Sequence, residues 1–132
     1  MSFTGDSAER IDATCRLAGE GKLAARRIAA WLEGAPVNEP EFRLLWLLAG
    51  GLQPKAVATP LDQADLAEQL VVSPAQVSGA VERLRSLGLL ERMQHERDRR
   101  RQLWQVTVTG DELLRRIVSQ VAGVSSQQEA AA

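Results

Sequence analysis

The chain holds one cysteine, one histidine and no tyrosine, and only 4% of its residues are aromatic. A lone cysteine, Cys15, makes no internal disulfide, which fits a reducing cytosol. One histidine and one cysteine leave little for a metal site or a general acid–base pair. There is no glycine-rich phosphate loop either, and no pair of carboxylates in an apolar setting. The expectation is therefore no enzyme, no cofactor and no metal. No apolar run approaches the roughly 18 residues that span a bilayer. The start, "MSFTGDSAER", lacks a signal-peptide pattern, so the expectation is a cytoplasmic protein without a membrane partner. An excess of charge is also missing. The net charge is −1 and the pI about 5.9, so any basic function must be local.

What remains is ordinary for a globular protein: 132 residues, 45% hydrophobic and 25% charged, enough for one domain with a modest core. Apolar residues at helical spacing predict a first helix from Ala8 to Glu33, kinked or split at Gly19 and Gly21. Asn38 with Glu41 makes a capping box ahead of "FRLLWLLAG", where Gly50 and Gly51 stop the helix. A loop follows, with a short strand near residues 57–59. Asp62 caps a helix over Gln63 to Leu70. Ser73, Pro74 and Gln76 then mark a second start, for a helix that ends at Gly88. Two short helices joined by a tight turn outline a helix-turn-helix. "LLERMQ" and "RQLWQVTV" read as two strands of a hairpin, and Thr107 or Thr109 caps a last helix to about residue 122. The tail 123–132 reads as frayed or disordered.

Between the strands lies "RMQHERDRRR", five arginines in ten residues. A helix-turn-helix followed by a hairpin with a basic tip has the layout of a winged helix. Such a tip fits a minor groove, where a narrow, strongly negative channel attracts arginine. Asp98 among the arginines makes sense as a bidentate brace, with Arg100 its natural client and Arg97 and Arg99 beside it. From Thr59 to Thr107 seven arginines face seven acids, so the wing carries what positive field there is. A solvated hairpin of mixed charge fits the same pattern.

On the second helix of the motif, Val77, Val81 and Leu84 share one side at about 100° per residue. The other side presents Ala75, Gln76, Gly79, Glu82, Arg83 and Ser86. A recognition helix puts its N-terminal part into the major groove. Gln76 is then placed to read a base edge, adenine by preference, Ala75 to meet a thymine methyl, and Ser73 or Ser78 a phosphate. An amphipathic core helix whose outer face is merely wet fits equally.

The series "LDQADLAEQLVVSPAQVSGAVERLRSLGLLER" and "DRRRQLWQVTVTG" resembles the multiple-antibiotic-resistance regulator (MarR) family of winged-helix transcription factors. The residues that carry the resemblance are Leu66-Ala67, Ser73, Val77-Ser78, Leu84, Gly88-Leu89, Arg92, Asp98-Arg99-Arg100, Thr107 and Gly110. The resemblance implies a mostly α fold with a small β-hairpin, a winged helix-turn-helix over 39–107, and dimerisation helices at 8–33 and 108–122. It implies a bacterial, cytoplasmic, nucleoid-associated homodimer, a repressor by preference, that binds double-stranded DNA at a pseudo-palindromic operator. A small aromatic effector, or oxidation of a cysteine, would release it. The DNA-binding residues implied are Ser73, Ala75, Gln76, Ser78, Gly79, Arg83, Arg97, Asp98, Arg99 and Arg100.

Three departures stand out. Gly79 takes the place of the basic residue common after Val-Ser, which implies fewer phosphate contacts and weaker binding. Only 22 residues follow Gly110, where the family usually has two helices. The absence of tyrosine removes partners that peroxide-sensing relatives use beside their cysteine. Cys15 sits in the first helix as a redox-sensor candidate beside Arg16, but a free cysteine serves equally as a small apolar filler. Trp31 and Trp46 fit either a ligand pocket or the core, and His95 a DNA or solvent contact. The rival reading is a winged helix turned protein-interaction module, which the acidic pI, Gly79 and the short stretch after Gly110 favour.

Overall fold

A computed structural model of the chain describes residues 3–51, 60–93 and 102–131. Five helices and a two-stranded sheet follow in order: α1 (Asp6–Trp31), α2 (Glu39–Leu48), α3 (Gln63–Leu70), α4 (Pro74–Ser86), β1 (Leu90–Arg92), β2 (Trp104–Val106) and α5 (Val108–Ala131). The strand expected near residues 57–59 lies outside the described residues.

Short polar side chains decide where each of the middle helices starts. Asn38 Oδ1 accepts the Glu41 N–H at 3.0 Å, and Glu41 Oε1 accepts the Asn38 N–H at 2.9 Å. Asp62 and Asp65 repeat the exchange at α3, and Ser73 and Gln76 at α4. Each box satisfies two amides that a helix start leaves orphaned. At α5 the choice between two threonines falls on Thr107, whose Oγ1 accepts the Gly110 N–H at 3.0 Å. Thr107 also donates to the Gly88 carbonyl at 2.7 Å, so one hydroxyl ties the end of α4 to the start of α5. Gly88 takes φ +75°, the left-handed conformation that glycine adopts without steric cost. At the end of α3, by contrast, Val71 holds φ +56° while 86% exposed. A β-branched side chain there costs about 1–2 kcal/mol.

The apolar stripes of α2, α3 and α4 converge on one core. Leu44, Leu45, Leu66, Val77, Val81, Leu84 and Ile117 are almost fully buried. β1 and β2 pair antiparallel with Leu90 opposite Val106 and Arg92 opposite Trp104. Trp104 reaches a third segment as well, donating its backbone N–H to the Leu61 carbonyl at 3.1 Å. Its indole N–H is buried without a partner among the described residues. The hairpin therefore closes the core against α2, α4 and α5.

The two long helices correct the sequence reading. α1 runs unbroken past Gly19 and Gly21, neither of which has a side chain packed over it. Glycine weakens an exposed helix by about 1 kcal/mol but supplies no steric reason to bend it. α5 continues to Ala131, through the segment read as a frayed tail. Gln127, Gln128, Glu129, Ala130 and Ala131 there favour helix, which offsets the weaker helix formers Gly123, Ser125 and Ser126. α1 has no buried residue at all; Ile11 and Leu17 are each 65% exposed.

Candidate nucleic-acid interface

α3 and α4 stand as a helix-turn-helix on the floor formed by α2. The turn is tight because the Val72 N–H returns to the Ala67 carbonyl at 3.1 Å. Val77, Val81 and Leu84 anchor α4 inward, as their spacing predicts. Ala75, Gln76, Ser78, Gly79, Glu82 and Ser86 lie exposed on the opposite side. A Cβ added at Gly79 would meet nothing within 4 Å, so the backbone of α4 is bare at the centre of this face.

Three of the residues assigned to DNA are engaged elsewhere. The Ser73 hydroxyl is the N-cap of α4 and lies 3.3 Å from Gln76 Oε1, to which it donates. Gln76 Oε1 is held by the same cap, which leaves the amide nitrogen as the group that faces outward. Bidentate recognition of adenine uses both ends of the amide, so it would require the cap to open. Arg83 is turned back to the body of the protein. Its Nη1 pairs with Glu41 Oε1, and its Nη2 donates to the Pro36 carbonyl at 2.9 Å. Glu41, only 3% exposed, was legible in the sequence as a capping residue but not as the partner of an arginine 42 positions on. Arg97, Asp98, Arg99, Arg100 and His95, and with them the proposed brace, lie outside the described residues. The strands that flank them are described. Gln105 Nε2 donates to Glu91 Oε1 at 3.0 Å across the hairpin.

On the other side of α2 a cavity of about 580 Å³ opens between α1, α2, α3 and α5. Its wall is apolar: Ile28, Trp31, Phe42, Trp46, Ile117 and Val121. Phe42 and Trp46 stack with ring centroids 6.0 Å apart. The two tryptophans singled out in the sequence therefore meet at one site. Arg43 supplies the charge on this wall. It donates to the Leu70 carbonyl at 3.2 Å and lies 3.5 Å from Glu39. Sequence reasoning missed Arg43 because nothing in its spacing sets it apart from a solvated helix residue.

The MarR family pattern matches residues 35–101, just over half of the chain. The chain belongs to the MarR family. Solved structures agree across nearly its whole length. The transcriptional regulator BldR from Sulfolobus solfataricus superposes with a TM-score of 0.73 at 16% identity, covering 98% of this chain and 88% of its own. RV1404 from Mycobacterium tuberculosis gives 0.63 at 26% identity, with 94% and 82% covered. CouR from Rhodococcus jostii, solved with p-coumaroyl-CoA bound, gives 0.68 at 21%, with 88% and 77% covered. No curated protein sequence matches. The fold is thus the MarR winged helix: mostly helical, with β1 and β2 as the base of the wing. Members of the family are transcriptional regulators rather than enzymes, and that is the class of this protein.

Within this MarR frame, Cys15 is exposed on α1. The neighbouring Arg16 bonds Asp12 at 2.8 Å, one turn back along the helix, and Arg10 shares a surface hollow with the sulfur. Among the described residues no group of three histidine, cysteine, aspartate or glutamate side chains could hold a metal ion, and no helix is long and apolar enough to cross a membrane.

Proposed function

We propose that the protein is a cytoplasmic, homodimeric transcriptional repressor of a pseudo-palindromic operator. The observation that carries this reading is the bare outer face of α4, exposed from Ala75 through Gly79 in a MarR winged helix except where Val77 turns inward. Ala75, Ser78 and Gly79 enter the major groove with the Gln76 amide nitrogen beside them. Ser73 shapes the helix start that meets a phosphate. Arg97, Arg99 and Arg100, braced by Asp98, take the minor groove or its rim. Residues 8–33 and 108–122 form the dimer. The cavity beside α2 receives a small, largely aromatic effector, supported by its apolar wall and by the aromatic thioester held by CouR.

Selection of bound duplexes from a random DNA pool tests this directly. An inverted repeat should emerge, with half-sites about one helical turn apart. Arg100→Ala should weaken binding to it and lower the salt slope by about 0.9 for each phosphate that Arg100 neutralises. Unchanged affinity and slope would remove Arg100 from the interface. No enrichment even at low salt would favour the protein-interaction reading.

Gly79 offers an opposite-signed test. Gly79→Ala should raise stability by about 0.5–1 kcal/mol, because helix propensity improves and the added methyl meets nothing. Operator affinity should fall at the same time, since the methyl stands where the backbone approaches DNA. Thermal melts beside binding titrations read both, and affinity held constant would place Gly79 off the interface.

A further inference from the structure

The contacts between α4 and α2 fall into two kinds. Val77, Val81 and Leu84 hold the helix down by apolar packing, which is strong but non-directional. Arg83 adds a directional tie. One carboxylate oxygen, Glu41 Oε1, receives both the Asn38 backbone N–H and the Arg83 guanidinium, while the other arm of that guanidinium reaches the Pro36 carbonyl. The α1–α2 connection, the first turn of α2 and the third turn of α4 thus meet at a single ion pair. Glu41 is the buried charged residue among those described. A carboxylate removed from water needs a partner, and truncating that partner leaves the charge uncompensated. The planar guanidinium fork satisfies two acceptors in fixed directions; an ammonium group does not.

We infer that Arg83 is a positioning residue for DNA recognition: it sets the lean of α4 on α2 through Glu41 and contacts no phosphate. The inference rests on the DNA-binding reading above. Recognition side chains must be held to within about 0.5 Å and 10–20° of their working geometry. Apolar contacts are non-directional and do not by themselves fix that orientation, whereas the two-armed guanidinium tie supplies a direction.

The test compares wild type with Arg83→Lys, Arg83→Met, Glu41→Gln and the double variant Glu41→Gln/Arg83→Met. Fluorescence anisotropy is read on the selected operator and on a random-sequence duplex, across salt, with a thermal melt of each variant. Arg83→Met and Arg83→Lys should each lose about tenfold or more on the operator while the salt slope stays that of wild type. Glu41→Gln removes a negative charge, so simple electrostatics would tighten binding; loss of operator affinity instead is the signature of positioning. The double variant should be no worse than either single one, because both break the same tie. Binding to the random duplex should change only by the small amount that each lost charge dictates, tightening with Glu41→Gln, and should not follow the loss on the operator.

A lysine variant that binds like wild type, with a slope reduced by about 0.9 in the methionine variant, would make Arg83 a phosphate contact and overturn the inference. Equal losses on both duplexes with a collapsed melting temperature would reduce the pair to a structural bolt, which also overturns it. If Arg83→Met does not fold, Glu41→Gln and Arg83→Lys still decide. A wild type without preference for any operator defeats the DNA-binding reading itself, and the inference falls with it.

Discussion

A variant carrying Ile11→Glu and Leu17→Glu is expected to be monomeric and to lose about 10²–10⁴ in operator affinity. α1 is 26 residues long and buries none of them. Helices in water take most of their stability from packing an apolar face, and α1 has no such packing along its first two-thirds. Ile11, Leu17 and Leu23 are exposed there, with Phe3 just before the helix. On α5, which packs against the end of α1, Val118 is also exposed. A second copy covering these two helices would remove that apolar surface from water and would set two recognition helices side by side. Each half-site then raises the effective concentration of the other. Glutamates at positions 11 and 17 should break the interface without touching the core around α2 to α4. Sedimentation velocity reads the mass and anisotropy reads the affinity. A variant that remains dimeric would move the interface off α1; a monomer with full affinity would show that one half-site suffices.

Gly110→Ala is expected to destabilise the protein by about 1–3 kcal/mol, the usual cost of overpacking a closed site. The direction is informative because helix propensity alone predicts the reverse, a gain of about 0.5–1 kcal/mol. Gly110 lies in the first turn of α5, against Leu89 just before β1 and Val106 at the end of β2. A Cβ there would overlap the Leu89 carbonyl oxygen and come within 2.6 Å of Val106 Cγ1. That carbonyl already accepts the Thr107 N–H at 3.1 Å, and Thr107 Oγ1 accepts the Gly110 N–H. The methyl therefore strikes backbone that cannot swing aside and pushes α5 away from the base of the wing. Urea denaturation should show a lower midpoint with an unchanged m-value. A midpoint equal to or above wild type would mean the junction yields at little cost. The comparison with Gly79→Ala is instructive: both replace a helical glycine by alanine, and the free space around the new Cβ decides the sign.

Helix starts were the most legible part of the fold. Asn38 with Glu41 and Ser73 with Gln76 form the boxes their spacing announces, and Asp62 caps α3 as expected, with Asp65 completing an exchange that the sequence reading does not name. Capping is local chemistry within four residues, so a linear pattern contains it in full. The inward faces were equally open to reading: Val77, Val81 and Leu84 recur at helical spacing and are buried together. The ends and bends of α1 and α5 were not. Glycine lowers helix propensity whatever surrounds it, and an exposed helix with no neighbour to distort it tolerates that cost and runs straight on.

The site divides along the same line. Periodicity alone sorted Ala75, Gln76 and Gly79 onto the outer face of α4, because facing is a property of the helix repeat. Where the polar atoms of that face point was another matter. Gln76 is shared with the cap, a local competition that the box itself announces. Arg83 is drawn to Glu41 and Pro36, more than forty residues earlier, by a buried carboxylate that exists only once α2 and α4 are packed together. The cavity that gathers Trp31 and Trp46 with Arg43 is likewise a product of assembly. By itself, then, the sequence determined the order of the elements, the starts of α2, α3 and α4, their inward faces and the family. The tertiary structure decided which polar side chains are already bound within the protein and which remain to meet a partner. Helix periodicity and capping act over one or two turns, whereas desolvation and ion pairing depend on which segments fold against one another.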